Sequence, residues 1–433
     1  MQKILYLWEE LKASFWFLPL LIILFGVGAA YALVWADHLT GYRPAGFLQY
    51  LFPGSVDSAR SVLGIIAGAM IGVAGTVFSI TLVALTLASG QLGSRLLRNF
   101  MYDKLNQVVL GVYVSTFVYC LLVLNAVKEN EALVFVPAIS VFVAMAAAVA
   151  GIILLIVFIH HISVSIQSDK VISDISDGMA GSMEKLFPAD IGEGEETPRG
   201  EEEAAKADYP HRRDVLCDKG GYLQSVDSDA LLALASGNDW IVELRDRPGD
   251  FLVKGLCLCR VYSREPMDEG LDDGLRRAFI TGKVRTPLQD AEFSIHQMVE
   301  VASRALSPGV NDPYTAIACI DNLSAVMCHL AGARFPSRCR YDPEGRLRVV
   351  ADSLKFSGMM DAAFNQIRQY GEGSPSVLIR LMEALARVSR FARQDNRKKE
   401  VRRHAEMVLA AARRSFREPC DLKDMEERFA RSF

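Results

Sequence analysis

Four long apolar runs dominate the first third of the chain, and shorter patterned segments fill the remainder. From Phe15 to Ala36 the residues read FWFLPLLIILFGVGAAYALVWA, close to the ~20 needed to cross the ~30 Å hydrocarbon layer as a helix. Three more runs follow, at approximately Val62 to Ala88, Val108 to Val127 and Leu133 to Ile159, each apolar all round. A helix without a polar face is solvated by lipid rather than by water, so residues 1–161 are expected to form a domain of four transmembrane helices. Ala30 and Ala32 give the first run a cleavage-like end. However, Glu9 and Glu10 stand where a signal peptide is basic, and the run exceeds the usual ~7 to 15 apolar residues. An uncleaved span is the expectation.

Beyond the fourth run the pattern becomes amphipathic. Ile162, Ile166, Val171 or Ile172, and Ile175 recur near helical spacing, as in a helix that continues out of the bilayer. The acidic stretch GEGEETPRGEEEAAKAD lacks large apolar residues and reads as an exposed linker, giving a segment 162–212 of helix and linker. Residues 213–287 carry short strand signals: Gly221 to Asp227, Trp240 to Arg245, and FLVKGLCLCRV after an Arg247-Pro248-Gly249-Asp250 turn. Residues 288–433 return to helical patterning, with helices expected after Asp290, after Asn311 or Asp312, from Phe356 to Tyr370, from Pro375 to about Phe391, and from Asn396 to Arg417. The fold class is therefore a membrane α-helical domain with an α+β part: a small β-barrel-like unit followed by a helical domain.

Charge fixes the expected orientation. Lys3 and Lys12 precede the first run, and Arg95, Arg98 and Lys104 lie between the second and third; the opposite loops hold Arg43, Arg60 and Lys128. Cytoplasmic flanks carry the excess of Lys and Arg, so both termini and the C-terminal part are expected in the cytoplasm. A net charge of −4 and a pI near 6.0 argue against a nucleic-acid partner bound through phosphate attraction. The eight cysteines show no CxxC pairing and no histidine framework for zinc. They are read as reduced thiols, with Cys257 and Cys259 packing on one side of a strand. No cofactor or metal is expected.

The second run holds the candidate functional residues. Gly64, Gly68 and Gly72 repeat every four residues along one helix face, where another backbone can approach closely. The same face continues through Thr76, Ser79 and Thr86. Two readings follow: a helix-packing seam, or a hydroxyl-lined path formed by several copies. No Asp, Glu, Lys or Arg lies within the four runs, so the usual marker of a proton relay is missing. At the cytoplasmic interface stand Gln91, Arg95 and Arg98, which fit positive-inside anchoring or lipid phosphates, and the adjacent His160 and His161, whose side chains diverge by about 100° and cannot chelate one metal from a regular helix. In the helix corner ALSPGVNDPYTA, the oxygens of Asn311, Asp312 and Thr315 suit either a helix cap or a small ion or ligand. Lys398, Lys399, Arg402, Arg403, Arg413 and Arg414 in the last helix suit a solvated face or an anionic partner.

RPGDFLVKGLCLCRV is similar to the hairpin of barrel-sandwich domains that carry biotin or lipoyl groups, but no modifiable Lys in a tight turn accompanies it. That resemblance implies a barrel-like shape without carrier activity. Over most of its length the chain resembles a bacterial inner-membrane family called simply "predicted membrane protein". The matching segments are MIGVAGTVFSITLVALTLASGQLGSRLLRNFM, GYLQSVD, RPGDFLVKG, RALSPGVNDPYTA and FNQIRQYG. The resemblance implies topology and brings no catalytic residues. No nucleophile elbow, phosphate loop or HExxH motif is present, so a non-enzymatic role is expected. The leading expectation is a homo-oligomeric channel or transporter-like protein in the lipid bilayer, governed by its cytoplasmic domain. The alternative is a membrane-anchored sensor or scaffold.

Overall fold

The computed structural model describes residues 15–40, 55–92, 103–130, 133–186, 199–267, 270, 272–287, 289–333, 335–352 and 354–433. The chain divides into two compact units, Met1–Lys170 and Val171–Phe433.

The first unit holds α1 (Phe17–Thr40), α2 (Val56–Leu92), α3 (Lys104–Ala126) and α4 (Ala138–Ser165), each long and apolar enough to cross a membrane. A short antiparallel hairpin, β1 (Lys128–Asn130) and β2 (Leu133–Phe135), separates α3 from α4. The fourth run was expected to be helical from Leu133; instead its first residues are strand. Pro137 explains the delay, because it restrains Val136 to extended backbone and then opens the helix. α3 is half buried between α1, α2 and α4, whereas the other three expose most of their surface. Small residues allow that central position. A Cβ on Gly111 would lie 3.0 Å from Pro19 Cα, one on Gly26 would collide with the Ser115 hydroxyl, and Ser115 Oγ donates to Ile22 O at 3.0 Å. Close backbone approach through small and hydroxyl residues is how helices associate where water supplies no hydrophobic drive.

α4 does not run on unbroken. It ends with Ile166 as its C-cap, and α5 (Ser168–Leu186) restarts two residues later with Val171, Ile172, Ile175 and Met179 buried on one stripe. Part of the expected linker is also helical: α6 (Arg199–Ala207) holds a nearly buried Glu202, and its Lys206 pairs with Glu243 at 3.0 Å.

The strands of the second unit form two sheets rather than the expected barrel-like unit. The first runs β3 (His211–Leu216), β7 (Cys257–Ser263), β5 (Trp240–Leu244), β10 (Leu347–Val350), β9 (Cys339–Tyr341), with β5 and β10 parallel and the other neighbours antiparallel. The second is antiparallel, in the order β6 (Phe251–Leu252), β4 (Gly221–Val226), β8 (Phe279–Gly282). A parallel pair requires a long crossover. Here the chain between β5 and β10 supplies it and brings a hairpin from the region expected to be wholly helical. α7 (Ser228–Gly237) packs on β5 and β10, and Val215, Leu223, Leu231, Val242 and Val261 fill the core beside them. Cys259 is buried in that core while Cys257 is half exposed, and all eight cysteines are free thiols. Burial pushes the Cys259 thiol well above its ordinary range.

The rest is helical: α8 (Asp272–Arg276), α9 (Glu292–Ala305), α10 (Pro313–Gly332), α11 (Phe356–Tyr370), α12 (Pro375–Phe391), α13 (Asp395–Ser415) and α14 (Pro419–Ser432), the last not foreseen from sequence. α10 also has the length and apolarity of a span. It is half buried against α9, α11 and α12, and its Asp321 pairs with Arg380 and Arg387, both at 3.1 Å.

Within this layer His404 of α13 is almost fully buried, 3.2 Å from Asp361 Oδ1 on α11 and edge-on to Phe364. Burial first, then the Arg403 charge, push its pKa down to about 4, against the opposing pull of Asp361. The unfolded chain therefore binds more protons between pH 6.5 and 4, and stability falls as pH drops through that window. Acidification from pH 7 to 4.5 is expected to cost the second unit about 2–3 kcal/mol through this residue. Urea unfolding of the detergent-solubilised chain, followed at Trp240 with Trp8, Trp16 and Trp35 replaced by Phe, measures it. An unaltered slope in His404→Gln would remove the histidine from the account.

Candidate functional site

α2 has two unlike faces. Ala59, Leu63, Ala67, Met70, Ala74 and Val77 are buried against the unit's other helices. Gly64, Gly68, Gly72, Thr76, Ser79 and Thr86 lie on the other side and are all exposed. A Cβ added at Gly64, Gly68 or Gly72 would meet nothing within 4 Å. The stripe legible in the sequence is thus one continuous face, and among the described residues no neighbour approaches its glycines within 4 Å. Its threonines are self-satisfied: Thr76 Oγ1 donates to Gly72 O at 3.1 Å, and Thr86 Oγ1 to Leu82 O at 2.8 Å. Such back-bonding lets a hydroxyl face lipid, a neighbouring helix or water without an unpaired donor.

Of the interface candidates, Arg95 and Arg98 lie outside the described residues, and Gln91 is described only as part of α2. The two histidines separate as their angular offset requires. His160 is exposed, whereas His161 Nε2 sits 2.5 Å from Asp103 Oδ2 and 3.3 Å from Ser165 Oγ. Asp103 also caps α3, accepting from Leu105 N–H at 2.9 Å. One carboxylate therefore ties the start of α3 to the end of α4.

At the other end of the same helices lies a residue that sequence reading passed over. α1 extends four residues beyond its apolar run and carries Asp37, buried, in its last turn. The Asp37 carboxyl accepts from Ile139 N–H (2.9 Å), Ser140 N–H (2.9 Å) and Ser140 Oγ (2.6 Å), while Tyr119 Oη donates to Ser140 O at 2.9 Å. Pro137, at the N-cap of α4, offers no side-chain acceptor. Asp37 supplies the cap from another helix, with a carboxyl at the positive end of the helix dipole. The available signal was an acid just past an apolar run, facing a helix start that lacks its own capping residue.

In the second unit the corner before α10 brings Asp312 and Thr315 together. Asp312 accepts from Tyr314 N–H and Thr315 N–H at 3.1 Å each and from Thr315 Oγ1 at 2.6 Å. The Thr315 hydroxyl bond, more than any other influence, holds its carboxyl below the usual range. Asn311 is exposed in the left-handed region at φ 51°, the conformation that reverses the chain there. The oxygens of Asp312 and Thr315 are engaged in the helix cap.

A cavity of about 140 Å³ opens where the Arg247-Pro248 turn meets the start of α9 and the ends of the β9–β10 hairpin, lined by Arg247, Asp290, Glu292, Ser337, Arg340 and Asp352. Arg247 pairs with Glu292 at 3.0 Å and Arg285 with the buried Asp290 at 2.6 Å. Burial raises the Asp290 carboxyl despite Arg285. Burial also pushes Glu292 up, but His296 and Arg247 together hold it below its ordinary value. Gly249, at φ 103°, leaves room for the Arg285–Asp290 pair, which a Cβ there would strike. The expected strand-turn signals locate the turn, whereas the Asp342–Gly345 hairpin turn, which places Arg340, lies in the region expected to be helical. Among the described residues no three metal-ligating side chains converge.

The family described as "Predicted membrane protein (DUF2254)" matches residues 12–387. The chain belongs to this family. Uncharacterized proteins of Mycobacterium bovis and of Mycobacterium tuberculosis H37Rv are each 33% identical to it over 418 residues, spanning 95% of this chain and 79% of the relative; one from the CDC 1551 strain is 32% identical over the same share. No solved structure matches. Family membership agrees with the long apolar helices described in the first unit and assigns no residue a role. Removing the Asp37 cap leaves two amides of α4 unpaired in an apolar bundle, so Asp37→Ala is expected to cost about 2–4 kcal/mol and Asp37→Asn less. Thermal unfolding in detergent reads this, and an Asp37→Ala chain as stable as the parent would disprove the capping role.

Proposed function

We propose that this member of the family is an oligomeric channel or transporter-like protein with four transmembrane helices, in which copies meet along the glycine face of α2 and its Thr76–Ser79–Thr86 continuation borders a polar path. The observation that carries it is the division of α2: one face is fully used by the protomer's own bundle, and the face of small and hydroxyl side chains is left for something else. Small residues facing pure lipid give up close packing, which is what holds helices together in a bilayer. In this reading the first unit sits in the bacterial inner membrane with both termini cytoplasmic, and the second unit governs the path from the cytoplasm. The chain has no catalytic role in this reading.

A second reading, a membrane-anchored sensor or scaffold, is favoured by the charged cavity beside Asp290, whose size and mixed lining suit a small polar ligand. The two readings separate on α2. Gly68→Cys and Gly72→Cys are expected to cross-link copies in membranes under mild oxidation, whereas Ala67→Cys and Ala74→Cys on the buried face are not. Ion flux in proteoliposomes is expected to fall roughly tenfold or more in Ser79→Leu/Thr86→Leu, because an apolar constriction excludes water. Cross-linking without any flux would leave the scaffold reading and end the conduction one; absence of cross-linking at both glycines would end the shared seam.

A further inference from the structure

One end of the β part combines exposed apolar side chains with three exposed lysines. Three separate segments meet there. Gly255 N–H donates to Cys217 O at 2.9 Å and Cys217 N–H to Leu256 O at 2.8 Å, which clamps the β3–β4 turn to the β6–β7 turn. Tyr222 pairs in register with Phe251 on one side and Gly282 on the other, which brings Lys283 and Val284 beside them. Strand alternation sends Leu252 into the core and Phe251 outward, where it meets the Tyr222 ring edge-on at 5.0 Å. Phe251 is 60% exposed, Leu256 61% and Val253 48%. Three large apolar side chains exposed together at one hairpin end are a candidate contact patch.

Charge identifies the partner. Residues 216–220, 253–256 and 283–284 hold Lys219, Lys254 and Lys283 with Asp218, while the nearby Asp246 and Asp250 are half-buried. All three lysines are exposed, and none forms an ion pair among the described residues. The basic residues of α13 are used differently: Arg402, Arg403, Arg413 and Arg414 pair with Glu406, Asp361, Glu426 and Glu372. Lysine is depleted from protein–protein interfaces. At a bilayer surface, its stem covers apolar neighbours while its ammonium stays among phosphates. The second unit is also continuous in sequence with α4, which is long and apolar enough to cross a membrane.

We propose that this end of the β part, with Phe251, Val253 and Leu256 at its tip and Lys219, Lys254 and Lys283 around it, docks on the anionic face of a lipid bilayer. The contact is a second, reversible attachment besides the spanning helices. A polar–apolar tip enters the headgroup layer only to shallow depth, and each lysine is worth about fivefold in partition at an anionic surface. Loss of all three therefore weakens docking by roughly 100-fold, and raised salt weakens it in the same direction.

The test uses the full chain in nanodiscs, with exposed Cys420 replaced by Ser and Val253→Cys carrying an environment-sensitive fluorophore. In discs containing phosphatidylglycerol, the emission is expected to shift to the blue and to be quenched by nitroxides placed high on the acyl chains. Discs of phosphatidylcholine alone, and Lys219→Glu/Lys254→Glu/Lys283→Glu in anionic discs, are expected to show neither. Emission that is unshifted in anionic discs overturns the proposal. So does a blue shift without nitroxide quenching, which means that protein, such as a second copy, covers the tip. Quenching that persists undiminished in the triple variant also overturns it, since charge would then not select the surface.

Discussion

A helix that begins or ends away from water leaves backbone groups that only the protein can satisfy, and this constraint organises both units. At the start of α4 the needed acceptor is the Asp37 carboxyl, drawn from a helix about a hundred residues earlier in the chain. At the end of α10 the needed donor is Arg397, whose Nη1 reaches the carbonyls of Leu330, Ala331 and Ala333 while its guanidinium lies over Phe335 and Phe356. Each carries the sign that the helix dipole favours at that terminus. Each also fixes a long-range contact, because the side chain can cap its distant helix in one packing arrangement and no other. In the first unit that arrangement sets where α1 meets α4, and α3, with Tyr119 bonded to the same Ser140, is enclosed between them.

The candidate face of α2 follows from this. Once α3 occupies the centre, α2 meets it through Leu63, Ala67, Met70 and Val77, and geometry turns Gly64, Gly68 and Gly72 outward. Glycines that serve close approach inside the protomer lie elsewhere, at Gly26 and Gly111. The two sets are chemically identical and differ only in what surrounds them. The inward set packs against Pro19, Ile22 and Ser115.

That difference marks the limit of sequence reading for this chain. Lipid-length apolar runs give an unambiguous signal, so the four helices of the first unit, the turn at Arg247–Asp250 and the amphipathic helices from Phe356 to Phe391 were legible. Periodicity placed Thr76, Ser79 and Thr86 on one face with the glycines, but periodicity contains no neighbours, and the outward direction of that face had to come from packing. The barrel expectation failed because resemblance of one hairpin says nothing about which strand pairs with β5. Its partner β10 lies about a hundred residues away and is announced only by a short Asp-Pro-Glu-Gly turn. Asp37 was missed for a related reason: a lone acid beyond an apolar run reads as a solvated boundary until its acceptor oxygens are matched with the unfilled amides of a remote helix. The helix cap at Asp312, by contrast, is local in sequence: its acceptor and the amides it meets lie within three residues.

The distribution of directional bonds also separates the parts of the membrane unit by how firmly they are held. α3 and α4 are joined at three levels along their length, by Tyr119 to Ser140, Tyr113 Oη to Gly151 O at 2.6 Å, and Asp103 to His161. α1 is tied to α4 through Asp37 and to α3 through Ser115. The threonines of α2, however, turn their hydroxyls onto carbonyls of α2 itself, and Met70, Ala74 and Val77 meet the bundle through apolar contact. Hydrogen bonds fix both distance and angle, whereas apolar contact is non-directional and survives small rotations. A rotation of α2 against the α1–α3–α4 frame therefore breaks none of these interhelical bonds.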